Sequence, residues 1–233
     1  MRVFCVLLST FFISGCQDDA PTASENEPVK DEPAKNEAPK EAAKATPEPS
    51  KTCTYQVKSA KPEWTAYKFT DKVPVGGTFN TYTLSETQSA GSLNDAFSGL
   101  SITIDASSVE SNNPARNTTI TEQYFAKFAP QHSLKANVVS SSGDNTKGTM
   151  SINLEMNGVA KPLSFNYTYE AAKGLLEATS VMDMMDFNLQ TPFNSIHEAC
   201  KTLHTGPDGV AKTWTEVALK VTAEVVENCT SKK

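Results

Sequence analysis

The chain has 233 residues, 21 of them lysine or arginine and 27 aspartate or glutamate, for a formal net charge of −6. Without a basic block it lacks the electrostatic footprint of a nucleic-acid-binding protein, so nucleic acid is set aside as a partner. The length allows one domain of ordinary size with a real core.

Residues 1–15 read as a secretory signal peptide. Met1-Arg2 is followed by an apolar run through Val6, Leu7, Leu8, Phe11, Phe12 and Ile13. That run is too short to span a bilayer and ends at Gln17, Asp18 and Asp19. The ending Ile13-Ser14-Gly15-Cys16 resembles the bacterial lipoprotein box, with Ile13 in place of the usual leucine. The resemblance implies that the Cys16 thiol is diacylated and that Cys16 becomes the new N-terminus. Each buried methylene contributes roughly 0.8 kcal/mol, so several acyl chains make a permanent membrane anchor. The expected location is the cell envelope. By analogy with enteric lipoproteins, Gln17 rather than Asp after the cysteine favours the outer membrane, facing the periplasm or the surface.

Residues 16–52 are Pro, Glu, Lys and Ala in rough alternation, without an aromatic residue and with Val29 as the only branched aliphatic. Such a segment cannot bury enough apolar area to offset its ordering entropy, and it reads as a disordered tether. A flexible chain of this length reaches roughly 30–40 Å.

The domain itself runs over residues 53–233. Strands are predicted at 64–70 and 78–84. Leu100, Ile102 and Ile104 alternate with polar residues, and 134–140 forms another strand. Met150, Ile152, Leu154 and Met156 alternate up to Asn157-Gly158, and Leu163, Phe165, Tyr167 and Tyr169 alternate after it. This is a β-hairpin signature, with Val159 to Pro162 suggesting a loop longer than two residues. A further strand is expected at 176–182, and Val217, Leu219, Val221, Ala223 and Val225 share one face near the end.

Two stretches have helical spacing instead. Thr119 and Glu122 stand at capping-box distance, with Ile120, Tyr124, Phe125 and Phe128 as the stripe. In the second, Phe193, Ile196, His197, Cys200, Leu203 and His204 recur at helical spacing between Pro192 and Gly206. Antiparallel strands, half-polar on one side, with two short helices read as a small β-barrel with an apolar interior.

Several segments, in order, resemble the YceI-like family of periplasmic polyisoprenoid-binding proteins. Trp64-Thr65-Ala66-Tyr67-Lys68-Phe69 and Val75-Gly76-Gly77-Thr78-Phe79 look like that family's opening strand and turn. Ile102 to Val109, then Asn112, Arg116-Asn117 and Tyr124-Phe125, look like its next run, with Asn117 where the family usually has Asp. Gly148 to Pro162 resembles its hairpin, and Ala199 to Gly206 through Trp214 a subgroup insertion. The resemblance implies a mainly β, antiparallel, lipocalin-like barrel that binds an isoprenoid-like lipid without catalysis. The alternative is a solid barrel that acts through its loops as an interaction or stress-response module.

A barrel of about eight strands leaves room for side chains or one ligand. Met150, Met156, Phe165 and Tyr167 form the inward set, and the opening strand adds Trp64, Tyr67, Lys68 and Phe69 as ligand-lining candidates. Periodicity alone favours a solid core for such a stripe; the resemblance reverses that preference. Lys68 is the candidate anchor for an anionic or carbonyl group, although an outward lysine is the commoner arrangement. His197, Cys200 and His204 fall at i, i+3 and i+7, but they coincide with the helix's buried stripe, so no metal is expected. No catalytic motif occurs: His197-Glu198 lacks the second His of a zinc-protease helix, there is no Gly-x-Ser-x-Gly elbow, and nothing local arms His132, His197 or His204. No cofactor is implied.

Of the five cysteines, Cys5 leaves with the signal and Cys16 is acylated. In a closed up-and-down barrel the first and last strands pair antiparallel, bringing Cys53 and Cys229 within bridging distance. That pairing leaves Cys200 buried and reduced; Cys200 bonded to either partner is the competing arrangement. Replacing Cys16 with Ala is expected to block acylation, leaving an unprocessed or soluble form. Labelling with a palmitate analogue checks this, and persistent labelling of the variant refutes the anchor.

Overall fold

A computed structural model describes residues 51–129 and 133–231. The signal, Cys16, the tether up to residue 50 and His132 lie outside the described residues. Among the described residues, ten strands form one antiparallel sheet: β1 (Lys51–Lys68), β2 (Val73–Phe79), β3 (Tyr82–Leu84), β4 (Ser101–Asp105), β5 (Val109–Glu110), β6 (Ser133–Gly143), β7 (Lys147–Met156), β8 (Val159–Glu170), β9 (Leu175–Asp183) and β10 (Glu216–Ser231). Three α-helices accompany them: α1 (Leu93–Phe97), α2 (Pro114–Gln123) and α3 (Gln190–Cys200).

The sheet order is β3-β4-β6-β7-β8-β9-β10-β1-β2-β5. Its two ends belong to the same pair of chain stretches. Residues 73–84 carry β2 and β3 on either side of a break at Asn80-Thr81, and residues 101–110 carry β4 and β5. β2 meets β5 through Thr78↔Glu110, while β3 meets β4 through Tyr82↔Ile104. The sheet therefore curls until its ends meet, and the antiparallel, lipocalin-like barrel expected from sequence is present. β1 begins at Lys51, two residues before the sequence boundary of the domain, because Lys51 and Thr52 pair with Ser231 and Thr230.

The Asn157-Gly158 turn is tighter than the sequence suggested. Both residues have positive φ, 52° and 73°, and β8 starts at once at Val159. Two left-handed residues match the right-handed twist of a hairpin, and Asn-Gly adopts them at low cost. Pro162 is accommodated inside β8, opposite Asn153. On its other side β8 pairs with β9 only from Asn166↔Thr179 to Glu170↔Leu175, so Pro162 stands where β9 offers no ladder.

Two helices were expected and three are found. The first expected one is displaced: α2 starts at Pro114, with the Asn113 side chain capping Arg116 N–H at 3.0 Å. An Asn-Pro start combines a strong cap with a pre-set φ and outcompetes the Thr119 box. Tyr124, Phe125 and Phe128 lie beyond α2, around the 3₁₀ turn Phe125–Lys127. The additional helix, α1, is capped by Ser92 and buries Leu93, Ala96 and Phe97.

The buried residues form two clusters. One fills the end of the barrel near Lys51: Tyr55, Val57, Met150, Tyr167 and Tyr169 close around Leu93 and Phe97 of α1. The Phe97 and Tyr167 rings meet edge to face at 5.3 Å, and Tyr167 donates to the Asp144 carbonyl at 2.8 Å. The other cluster lies toward α2 and α3 and includes Phe79, Tyr124, Phe125, Phe128, Leu154 and Met156.

Cys53 and Cys229 are register partners across β1 and β10 and are disulfide-bonded; Cys200 is free and half-buried. The bridge spans a sequence separation of 176. On the chain-entropy model, Cys53→Ser with Cys229→Ser is expected to lose up to about 5 kcal/mol in urea unfolding. Cys200→Ser serves as the control, expected to stay within about 1 kcal/mol of the parent.

Candidate functional site

Alternation along β1 puts Pro62, Trp64, Ala66 and Lys68 on one face, and that face walls a cavity of about 510 Å³. Ile102 and Ile104 of β4, Leu154 and Met156 of β7, Phe165 of β8, Met182 of β9 and Val217, Leu219 and Val221 of β10 complete an apolar lining. From Pro62 to Lys68 the strand rises about 20 Å, or about 15 Å along the barrel axis once strand tilt is allowed for. Phe165 marks the floor level. Its cross-strand partner Met150, and Tyr167 two residues deeper, belong to the solid end.

The opposite end is the mouth, flanked by Thr119 and Ile120 of α2 and by Ile196 and Cys200 of α3. Arg116, another lining residue, is fixed by a compact network. It donates from Nε to Ser111 Oγ at 2.8 Å and from Nη2 to the Ser111 carbonyl at 2.7 Å. Asn117 Oδ1 accepts from Ser111 N–H and Oγ at 2.9 and 2.6 Å, and its amide donates to Glu110 Oε1 at 3.0 Å. These amide and backbone donors hold the Glu110 carboxyl below its ordinary range. Asn117 thus serves the packing without adding a carboxylate beside Arg116.

The insertion between α3 and β10 straps the mouth to the end of β1. Phe69 N–H donates to the Lys212 carbonyl at 3.0 Å, and Trp214 N–H to the Tyr67 carbonyl at 3.2 Å. The Trp214 indole donates to the Phe69 carbonyl at 2.8 Å, with the Lys72 and Lys212 ammonium groups 4.6 and 4.7 Å from its ring centre. Thr70 donates to Asp208 at 2.7 Å. The segment from His204 to Trp214 is therefore a pinned turn.

His197 and His204 both aim Nδ1 at Thr213 Oγ1, at 3.0 and 2.8 Å. One hydroxyl has one proton and two lone pairs, so at most one ring accepts from it and at least one donates to it. Burial, with Lys68 and His197 as further causes, pushes the His204 pKa down. Burial pushes the Cys200 thiol up, which makes it a poor nucleophile. Among the described residues, the group close enough to share a metal is Cys53, Glu227 and Cys229, two of which are bonded to each other.

Of the sequence candidates, Trp64, Tyr67, Lys68, Met156 and Phe165 line the cavity. Lys68, whose base rate favoured the outer face, is on the wall with its ammonium 4.7 Å above the Phe69 ring. Three candidates lie elsewhere. Met150 and Tyr167 point inward but are built into the solid end. Phe69 leaves the strand with φ 60° and turns into the strap. Sequence reasoning places Tyr124 in a helical stripe and both Tyr124 and Arg116 in the second family-like run, but assigns neither to the cavity lining.

Trp64 depends on Gly77, its register partner on β2. A Cβ at Gly77 would stand 2.5 Å from the Glu110 carbonyl oxygen and 2.6 Å from Trp64 Cζ2. Gly77→Ala is expected to destabilise the domain by about 1–3 kcal/mol and to shift tryptophan emission. Gly76→Ala, whose nearest atom is 3.4 Å away, is expected to do neither. Thermal unfolding followed by fluorescence checks both.

Comparison with known proteins places this barrel. Among solved structures, a polyisoprenoid binding domain from Saccharophagus degradans, implicated in plant cell wall breakdown, superposes with a TM-score of 0.50 at 14% identity, covering 76% of this chain and 98% of that one. Burkholderia cenocepacia BcnA gives 0.48 at 13% identity, over 72% and 96% of the two chains. A Campylobacter jejuni YCEI protein gives 0.42 at 19% identity, over 68% and 85%. At such identity the first of these supports a shared fold. No curated protein matches. The YceI-like domain model matches residues 54–225, nearly the whole barrel, and the chain belongs to the YceI-like family.

Proposed function

We propose that this barrel binds one long-chain, isoprenoid-like lipid and stores, carries or shields it without transforming it. The observation that carries the reading is the apolar cavity of about 510 Å³, open at one end and closed at the other. Its volume lies within the roughly 300–1,000 Å³ of small-molecule sites. Its depth of about 15 Å matches half of a bilayer's hydrocarbon core of about 30 Å. A chain that fills one leaflet would therefore fill this cavity. Met156 and Met182 suit an irregular, branched chain, because a thioether side chain adapts its shape. The fold shared with a polyisoprenoid binding domain supports the same ligand class. A wholly solid barrel acting through its loops is less well supported, because only the end near Lys51 is filled.

In this proposal Cys16 carries the acyl anchor, and the protein works at a membrane of the cell envelope, facing the periplasm or the surface. No helix among the described residues is long and apolar enough to cross a membrane.

Filling the cavity should abolish binding without unfolding the barrel. Ala66 lies on the inner face between Trp64 and Lys68, and Ala66→Trp is expected to remove any co-purifying long-chain species seen by native mass spectrometry. The far-ultraviolet circular dichroism of the variant is expected to match that of the parent. A parent domain that purifies empty and takes up no prenyl chain from vesicles would contradict the proposal.

A further inference from the structure

The end of α3 flanks the mouth and is tied to the strap by two imidazoles on one hydroxyl. α3 stops at Cys200, and a 3₁₀ turn follows over Thr202–His204. Ile196, Cys200, Leu203 and His204 of this stretch all line the cavity. Facing them is Thr213, which pairs with Lys68 in an isolated bridge at the end of β1. Thr213 Oγ1 lies 3.0 Å from His197 Nδ1 and 2.8 Å from His204 Nδ1. Through Thr213 the helix end is therefore joined to the barrel wall. Beside these contacts Lys212 N–H donates to the His204 carbonyl at 3.1 Å. The strap's own backbone bonds to Tyr67 and Phe69 contain no titratable group, so protons act on the imidazole contacts and leave that anchorage in place.

Neutral imidazoles can satisfy this hydroxyl completely, one ring donating to its oxygen and the other accepting its proton. An imidazolium donates from both nitrogens and accepts from neither. When both rings are charged, the Thr213 proton loses its acceptor and two cations share one oxygen. Lys68 is a third positive charge acting on His204. The nearby carboxylates are engaged elsewhere: Glu198 with Lys201, Glu216 with Lys72, Asp183 with Thr215 and Asp208 with Thr70. Lys212 sits over the Trp214 ring. α2 presents Arg116 to the same opening, a further cation, while its Glu122 is exposed. Lys127 and Asp186, on the turns that pack against α3, are exposed as well. Cys200 stays a neutral thiol. We propose that His197, His204 and Thr213 form an acid-released latch, in which charging the two imidazoles frees the end of α3 from the strap and widens the mouth. Burial, then Lys68 and His197, lower the His204 pKa from 6.5, so the closed form binds protons less well than an open one. The closed form thus has its full advantage above about pH 6.5 and loses it as the pH falls below that value. This gating of access goes beyond the lipid-binding reading and stands without it.

Cys200 reports the opening, because it is a free, half-buried thiol at the end of α3 and lines the cavity. Its reaction with 4,4′-dithiodipyridine is followed by peptide mass mapping, in the folded protein and in urea at the same pH. The ratio of the two rates cancels the thiol's intrinsic pH dependence. Between about pH 7.5 and about pH 5 the parent's ratio is expected to rise about tenfold, the worth of one pKa unit between two states. Its far-ultraviolet circular dichroism is expected to stay the same. His197→Gln with His204→Gln, which keeps polar groups that cannot charge, is expected to make the ratio independent of pH. Lys68→Met removes a repelling charge without touching the latch and is expected to reduce the rise. A parent ratio that does not change with pH overturns the inference, and so does a rise that survives the double substitution. If the double variant does not fold, an undiminished rise in Lys68→Met overturns it alone. Loss of the whole parent fold at the lower pH overturns it too, because the release would then be global. The lipid-binding reading is untouched by each of these outcomes.

Discussion

The pairing of the first described strand with the last determines the rest of this structure. β1 and β10 run antiparallel from Lys51↔Ser231 to Thr65↔Ala218, with one irregularity between Val57 and Ser59. That contact joins residues far apart in sequence and so carries a large loop-closure entropy. The Cys53–Cys229 bond sits within the same ladder and constrains the unfolded chain at the point where closure is most demanding. Without this pairing, β2 would lose its neighbour on one side and β9 would lose the chain that links it back to β1. The inward face of Trp64, Ala66 and Lys68 would then have nothing to face.

The barrel is packed at one end and hollow at the other, and the division is made by α1. Leu93 and Phe97 enter the end near Lys51 and, with Tyr167 and Met150, leave no space there. Above Phe165 the same inward positions surround a void. An apolar void forfeits dispersion contacts on every wall atom facing it, so a hollow half is costly to an empty barrel. A ligand that binds only the folded state returns some of that stability by mass action.

The fold was legible because strand parity and turn chemistry are local. The hairpin at Asn157-Gly158 and the face of β10 follow from a period of two. The Cys53–Cys229 bond followed from the ring once the end strands were known. The misreadings have physical causes. Pro162 suggested a long loop, yet it is tolerated inside β8 because β9 does not pair beside it. Thr119 and Glu122 mimicked a helix start that Asn113-Pro114 had already provided. The site was half legible. Alternation shows which side chains point inward but not at what depth, so Met150 and Tyr167 looked equivalent to Met156 and Phe165. What separates them is a plug of five residues, too short to show a helical period in sequence.

The same end pairing gives the domain a polarity. Lys51 and Ser231 lie side by side at the packed pole, whereas the opening lies beyond Lys68 at the other end of β1. Along the axis the two poles are about 40 Å apart, from the strand rise and tilt. A support attached at Lys51 or Ser231 therefore meets the packed pole, and the opening lies at the other end of β1.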